Sequence, residues 1–230
     1  GEAAKVALGW AAKISGGTSA SLLGTRARTS VLGAGFVHCT MMRDLDMNDT
    51  YYPRDSAHPS DNIGAMLAVG EAEAASGEQV LRAILVAYEV AMRSCEIAKN
   101  SFQRVAGWDH TTFVTVATAA GAGILLKLDA DQLAHAISIA ACYPTTGELR
   151  VGQISMMKAI SAGLAASRGI EAAYLAQRAV VLTRRPARIV LDHRLDLPVK
   201  RAAVLRTEPQ FAQQMRILFE ALERGEGSPA

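Results

Sequence analysis

The sequence predicts an all-α protein, a multi-helix bundle, from its composition and its hydrophobic spacing. Half of the 230 residues are hydrophobic but only 5% are aromatic. The core must therefore consist mainly of Ala, Leu, Ile, Val and Met, which suit close-packed helices. Apolar residues recur at helical spacing in several segments, with no regular alternation of strands and helices between them.

The first part of the chain contains two predicted helices and a long polar loop. Residues 2–14 suit a helix that ends at a Gly pair, and helical character resumes over residues 32–43. Residues 46–62 are polar and include Pro53 and Pro59, which a single regular element would not tolerate. We therefore expect residues 46–62, called the polar loop below, to be irregular and dense in functional groups.

Capping boxes mark the start of two helices in the middle of the chain. Ser76 with Gln79, and Asp129 with Gln132, have the required spacing ahead of apolar residues at helical positions. Between them, the Ala-rich run over residues 111–127 predicts a helix that is buried on most sides. These signals predict three consecutive helices.

Small residues dominate the next predicted helix, over residues 155–178. Ala159, Gly163, Ala166 and Gly169 recur every three or four positions, which lets a neighbouring helix approach closely. Because Gly lowers helix propensity, packing has to compensate.

The C-terminal part differs in composition, because basic residues and prolines are concentrated in it, so we place a domain boundary after residue 183. The predicted organisation is a helical domain over residues 1–183, followed over residues 184–230 by a basic linker, a short helix and a disordered tail. The short helix carries an apolar stripe that could pack on a core or on a partner helix, formed by Phe211, Met215, Leu218 and Leu222.

Charge, cysteine content and hydropathy exclude several classes of protein. A formal net charge of +2 gives no field strong enough for nucleic acid, so a small molecule is the expected partner. Cys39, Cys95 and Cys142 are widely spaced, which predicts neither disulfides nor a zinc site and fits a cytoplasmic protein. The longest uncharged run is shorter than the roughly 20 apolar residues of a membrane span, so no membrane segment is expected.

Three polar stretches, each at a helix boundary, could carry chemistry. Boundaries of packed helices can converge on one pocket, so we expect these stretches to meet. Their candidate residues are Asp46, Asp49, Thr50 and His58 in the polar loop, Arg104, Asp109 and His110 further along, and Lys158 near the start of the small-residue helix.

These residue types suit elimination of water from a hydroxy acid. That reaction requires a base for the carbon-bound proton, an acid for the departing hydroxyl and cations for carboxylates. His58 or His110 can act as base or acid because histidine titrates near neutrality, and Lys158 can neutralise the developing charge. The spacing of the Asp and His residues matches no metal pattern, and no nucleotide motif is present, so we expect no metal and no other cofactor.

Each candidate also has a plain structural interpretation. A histidine that precedes proline, as His58 does, is often a turn residue, and Asp46 and Asp49 suit turn carboxylates. Lys158 could be a solvated residue of a first helical turn, although a cation is poorly placed there without another role. From the residues alone, the choice stays open.

The order of these motifs resembles the 2-methylcitrate dehydratases of the MmgE/PrpD family. The similarity extends over about residues 5–180. It is carried by Leu45-Asp-Met-Asn-Asp-Thr50, by His58-Pro-Ser-Asp-Asn-Ile-Gly64, by Asn100-Ser-Phe-Gln-Arg-Val105 leading to Asp109-His110, and by Lys158 followed by Gly163 and Gly169.

The resemblance implies an active site between this helical domain and a smaller α+β lid domain, usually in a homodimer. It implies that the site dehydrates 2-methylcitrate, a small tricarboxylate, to 2-methyl-cis-aconitate in the methylcitrate cycle of propionate catabolism, without cofactor. The residues it places in the site are Asp46, Thr50, His58, His110 and Lys158.

Residues 184–230 depart from the family pattern. They do not resemble the lid. We therefore expect a truncated or divergent member without a lid domain, a chain that another polypeptide completes, or a part of a longer natural chain. Two alternatives stay open. One is a related activity on the same scaffold, cis-aconitate decarboxylase or iminodisuccinate epimerase, and the other is a catalytically inactive, lidless binding module.

Overall fold

A computed structural model describes the chain in six stretches, residues 1–98, 107–143, 155–176, 178–182, 189–194 and 209–226. The chain divides into two compact units, Gly1–Ala173 and Tyr174–Ala230. The first unit contains every predicted site residue.

The described part of the first unit is mainly helical. Its helices are α1 (Glu2–Lys13), α2 (Val31–Arg43), α3 (Ile63–Ala72), α4 (Gly77–Ile97), α5 (Thr111–Leu125), α6 (Ala130–Cys142) and α7 (Met157–Leu175), whose last two residues belong to the second unit. A two-residue antiparallel pair joins β1 (Ala20–Ser21) to β2 (Arg28–Thr29), and a 3₁₀ turn spans Pro59–Asn62. The prediction of an all-α fold is confirmed.

Both predicted capping boxes are present. The Oγ of Ser76 accepts from the backbone N–H of Gln79 at 3.3 Å, and Gln79 Oε1 accepts from the Ser76 N–H at 2.7 Å. Asp129 and Gln132 exchange the equivalent bonds at the start of α6. Each box satisfies N–H groups that a helix start leaves without a partner, which fixes where α4 and α6 begin.

Helix α7 packs closely between α2 and α5. A Cβ added at Gly163 would clash with Thr40 and with the backbone carbonyl of Phe36, both on α2. One added at Gly169 would clash with the Thr118 side chain on α5. The prediction that small residues let a neighbouring helix approach closely is therefore confirmed, and this packing places the start of α7 beside the end of α2.

Helix α3 was not predicted from the sequence. It is buried on most sides, with Ala65, Met66, Ala68 and Val69 fully buried. A helix that is apolar on most sides lacks the alternation of polar and apolar faces that marks a surface helix. In the described ranges, no helix is both long and apolar enough to cross a membrane.

The second unit contains an antiparallel strand pair and one helix. Strands β3 (Arg178–Leu182) and β4 (Ile189–Arg194) pair with a register shift, and α8 (Pro209–Glu226) packs on both strands. His193 Nε2 lies 2.7 Å from Gln214 Oε1, within hydrogen-bond distance.

The second unit is more regular than the sequence suggested. Strand β4 lies in the stretch predicted as a linker, because its Ile-Val-Leu start is an apolar run that can pair with the Ala-Val-Val-Leu of β3. Helix α8 extends to Glu226, and the description of residues 184–230 as a basic linker, a short helix and a disordered tail stays a prediction. Residues 227–230 lie outside the described residues, and the domain boundary at 183 stays a prediction.

Candidate active site

The polar loop is irregular, but hydrogen bonds within it fix its conformation. Tyr51 and Ala57 exchange two backbone hydrogen bonds, of 3.0 and 2.9 Å, which close the middle of the loop. Asp49 Oδ1 accepts from the backbone N–H of Ser60 at 3.1 Å. At the beginning of the loop, Asp46 has a φ of 53°, a left-handed conformation that turns the chain sharply after α2. These ties bring the two ends of the loop together.

His58 is held by the loop through one ring nitrogen. Its Nδ1 lies 2.7 Å from the carbonyl oxygen of Asp49, with the Thr50 hydroxyl 3.5 Å away. Because a carbonyl only accepts, Nδ1 carries the hydrogen and Nε2 of the neutral ring keeps its lone pair. Burial lowers the pKa of His58, and the cationic Arg43 and His110 lower it further against the raising effect of the Asp49 carbonyl. The geometry therefore favours a neutral imidazole with Nε2 as a base.

His110 lies at the N-terminus of α5, beside His58. The two ring centroids are 4.9 Å apart, and the ring planes meet edge to face at 81°. His110 Nδ1 is 2.9 Å from Asp109 Oδ1, and Nε2 is 3.4 Å from Asp61 Oδ2. These are ion-pair distances, although within the described residues neither nitrogen has a partner in good hydrogen-bond geometry.

The charge of His110 depends on two opposing effects. Burial alone would lower its pKa, but the carboxylates of Asp109 and Asp61 outweigh burial and raise it. Burial likewise opposes ionisation of Asp109, yet the imidazole and the Thr111 N–H hold the pKa of that carboxyl at about 2. The His110 site thus favours an imidazolium between two carboxylates.

Asp61 is fully buried and fixed by its neighbours. Its Oδ1 accepts from the Asn48 amide at 3.1 Å, and the same amide donates to Ser60 Oγ at 3.0 Å. Next to it, Asn62 Oδ1 accepts from the Thr118 hydroxyl on α5 at 2.7 Å. The 3₁₀ turn is therefore anchored both to the polar loop and to α5.

Lys158, in the first turn of α7, is the third part of the site, after the polar loop and the His110 region. Its Nζ donates to Oδ2 of Asp46, and Asp46 Oδ1 lies 2.9 Å from Nη1 of the buried Arg43. The hydrogen bond from Lys158 lowers the pKa of Asp46. The side chains of Lys158 and Asp46 are 29% and 48% exposed, so a ligand can reach both.

The structure brings together seven of the eight residues that the sequence singled out. They are linked through the contacts just described: Asp46, Asp49, Thr50, His58, Asp109, His110 and Lys158. Arg104 lies outside the described residues. A separate cleft at the start of α4, lined by Ser76, Glu78 and Arg82 among others, contains none of these seven.

Sequence reasoning missed two residues of the site and undervalued a third. Tyr88, on α4, was not among the candidates, yet burial and the neighbouring Asp49 carboxylate raise its pKa to about 12. Arg43 was not considered. Asp61 appeared only within the motif from His58 to Gly64, although its position three residues after His58 is one turn of a 3₁₀ helix and could have indicated its role.

No group of three or more His, Cys, Asp or Glu side chains within the described ranges is arranged as ligands of one metal ion.

Comparison with known proteins gives the family. Residues 1–181 match the MmgE/PrpD N-terminal domain, and this span includes every clustered site residue. The chain is 36% identical over 127 residues to the 2-methylcitrate dehydratase of Escherichia coli K12, covering 51% of this chain and 26% of that protein.

Two fungal proteins are similar in the same region. The probable 2-methylcitrate dehydratase of Saccharomyces cerevisiae is 32% identical over 179 residues, covering 70% of this chain and 34% of that protein. The 2-methylcitrate dehydratase-like protein oryR of Aspergillus oryzae is 33% identical over 129 residues, covering 51% of this chain and 25% of that protein. The chain spans about a quarter to a third of these curated relatives. On the family match and its extent, the chain belongs to the MmgE/PrpD family.

Proposed function

We propose that this chain carries the acid–base groups of a hydro-lyase that dehydrates 2-methylcitrate to 2-methyl-cis-aconitate without a cofactor. The observation that carries the proposal is the pair of imidazoles with centroids 4.9 Å apart, next to the Lys158–Asp46 contact. The similar proteins named 2-methylcitrate dehydratase support the choice of reaction.

The chemistry needs a base, an acid and a cation. His58 Nε2 takes the carbon-bound proton, and the electron pair of the broken C–H bond forms the new carbon–carbon double bond. Lys158 neutralises the enolate-like charge that develops on the neighbouring carboxylate. The C–O bond breaks as the hydroxyl takes a proton from an imidazolium and leaves as water. Nothing is oxidised or reduced, so the step needs no redox cofactor.

Substrate binding would replace a contact within the protein. Asp46 places a carboxylate between Arg43 and Lys158, which is the arrangement that a carboxylate of the substrate would take with Lys158. The partly exposed Lys158 can exchange one carboxylate for the other at small cost, because an exposed ion pair contributes about 1 kcal/mol or less. Asp49, Thr50 and Arg104 are the further residues proposed to bind substrate.

The proposed setting is a cytoplasmic homodimer involved in propionate catabolism. Its three cysteines, Cys39, Cys95 and Cys142, are free thiols, which suits a reducing compartment.

The test is incubation of the chain with 2-methylcitrate, citrate and cis-aconitate. The ultraviolet absorbance of the conjugated alkene and the release of carbon dioxide are followed together, and binding is measured by calorimetry. We expect alkene from 2-methylcitrate without carbon dioxide. Carbon dioxide from cis-aconitate would instead indicate a decarboxylase. Binding that Lys158→Ala abolishes, without turnover, would indicate a binding module, and neither binding nor turnover would refute the proposal.

A further inference from the structure

The two neighbouring imidazoles have opposite environments. His110 is only 3% exposed, and its two nitrogens face the carboxylates of Asp109 and Asp61. His58 is half-buried, and its Nδ1 is committed to the Asp49 carbonyl. In the described part of the chain no hydrogen bond engages His58 Nε2. One ring is therefore enclosed by protein, and the other keeps a free nitrogen.

From this asymmetry we propose that His110 is a positioning residue and not a proton-transfer group. Asp61 and Asp109 hold it as a buried imidazolium behind His58, and His58 Nε2 alone exchanges protons with the substrate. The proposal deepens the dehydratase function proposed above and rests on it for the identity of the substrate.

The two carboxylates explain why His110 stays charged. A neutral imidazole has one N–H and one lone pair, so one of the two buried carboxylates would face a lone pair. An imidazolium instead has no lone pair facing either carboxylate, and its positive charge attracts both at ion-pair distances of 2.9 and 3.4 Å. Leaving a buried carboxylate without compensation is costly, and Asp61 cannot turn away because Asn48 holds its other oxygen.

A fixed cation beside His58 has two useful effects. It disfavours a second positive charge, so His58 remains unprotonated and available as a base. Once His58 has taken the carbon-bound proton, the same repulsion makes the new imidazolium a stronger acid toward the departing hydroxyl. One nitrogen can therefore serve both halves of the reaction.

Other charged or titratable groups surround the two imidazoles and also act on their pKa values. Those in the described ranges are Arg43 on α2, Asp46 and Asp49 in the polar loop, Asp61 in the 3₁₀ turn, Tyr88 on α4, Asp109 before α5, and Lys158 on α7. Of these, Arg43 acts on His58 in the same direction as His110, and Asp61 acts in the opposite direction. Because these other groups are unchanged in His110→Gln, the variant isolates the effect of His110 on the pKa of His58.

The experiment is an NMR titration of the ring C–H signals of the five histidines in the full chain. The signals of His58 and His110 are assigned from the variants His58→Gln and His110→Gln. In the unsubstituted chain we expect His110 to titrate above 6.5 and His58 below it. In His110→Gln the pKa of His58 should rise, whereas His135→Gln, on α6, should leave it unchanged.

Two results would overturn the proposal. One is a His110 that titrates at or below 6.5 in the unsubstituted chain. The other is a His58 pKa that does not move in His110→Gln. Asp61→Asn gives a second check, because it should lower the pKa of His110.

Kinetic measurements test the positioning role of His110 separately from the proposed dehydratase activity. If His110 only positions, His110→Gln moves the acid limb of the kcat/KM profile to higher pH and keeps the plateau within about tenfold. A direct acid or base would lose about 10²–10⁴ at every pH, and that result would overturn the proposal. If the unsubstituted chain shows no turnover, the dehydratase proposal is the one that fails, and the titration still decides the state of His110.

Discussion

Lys158 hydrogen-bonds to Asp46 across 112 residues of sequence. The contact joins the first turn of α7 to the beginning of the polar loop, and Asp46 reaches Arg43 with its other oxygen. A carboxylate thus lies between two cations at a place that solvent can enter. This relationship makes Lys158 the residue whose loss separates a carboxylate-binding role from a purely structural one.

Lys158→Ala should lower turnover of 2-methylcitrate by at least about a hundredfold, as expected when a group that stabilises developing charge is lost. Initial rates of alkene formation measure the effect. Lys5→Ala is the matched control, because Lys5 is an exposed lysine whose partner is Glu2 on the same helix. Its rate should equal that of the unsubstituted chain.

Stability should barely change in the same variant. The Lys158–Asp46 pair is partly exposed, so its loss should alter the free energy of unfolding by no more than about 1 kcal/mol. Denaturant unfolding of the two lysine variants measures this. Normal turnover in Lys158→Ala would remove Lys158 from the site, whereas a large loss of stability would show that its role is structural.

His58 should give the pH profile of a base with a depressed pKa. Burial and the neighbouring cations lower its pKa below 6.5, so the ring stays unprotonated as the pH falls through 6.5. We expect kcat/KM to remain level through that value and to fall only at lower pH, as His58 becomes protonated. A profile of kcat/KM against pH is the measurement. An acid limb centred above 6.5 would contradict the assignment.

The sequence was most informative where structure is local. Ser76 with Gln79, and Asp129 with Gln132, mark helix starts because a capping box is complete within four residues. The mostly buried α3 was missed because a helix that is apolar on most sides has no broad polar face to give it periodicity. Strand β4 was missed because pairing with β3 depends on a partner outside its own segment.

The site residues were identifiable by type, but their roles depend on distances between segments. Nothing in the sequence shows that His110 lies between two carboxylates while His58 binds a backbone carbonyl. That difference arises because the 3₁₀ turn brings Asp61 to α5 and the polar loop brings Asp49 to His58. The sequence therefore left both histidines equivalent, and the geometry distinguishes them.

Gly163→Ala should destabilise the first unit. The new methyl group would meet Thr40 and the carbonyl of Phe36, and backbone cannot move aside cheaply, so we expect a loss of about 1–3 kcal/mol. Gly77→Ala is the control, because nothing lies within 4 Å of a Cβ at that position in α4. Thermal unfolding of both variants measures the difference. Equal melting temperatures would contradict the close packing of α7 on α2.

Asp109→Asn should remove a pH-dependent part of the stability of the first unit. The pKa of Asp109 is held at about 2, below its usual 3.8. Its ionised form therefore contributes at every pH above about 4, by about 2 kcal/mol, and the contribution disappears as the pH falls through 2. The Asn side chain can still accept from the Thr111 N–H, which Asp109 bonds at 3.2 Å. The difference in unfolding free energy between the unsubstituted chain and Asp109→Asn therefore measures the effect of the Asp109 charge and not the loss of its hydrogen bond from the Thr111 N–H.

The His110 imidazole sets the upper limit of the pH range in which the Asp109–His110 pair contributes to stability. Because the pKa of His110 is raised above 6.5, its contribution is complete below 6.5 and is lost as the pH rises through the folded-state value. Denaturant unfolding of the unsubstituted chain and Asp109→Asn should thus differ most between about pH 4 and about 6.5, and should converge near pH 2. Glu2→Gln, whose side chain is 70% exposed, should show no such convergence. If the Asp109→Asn difference stays constant with pH, the carboxylate is not paired with a charged His110, and its contribution comes from packing or from the cap alone.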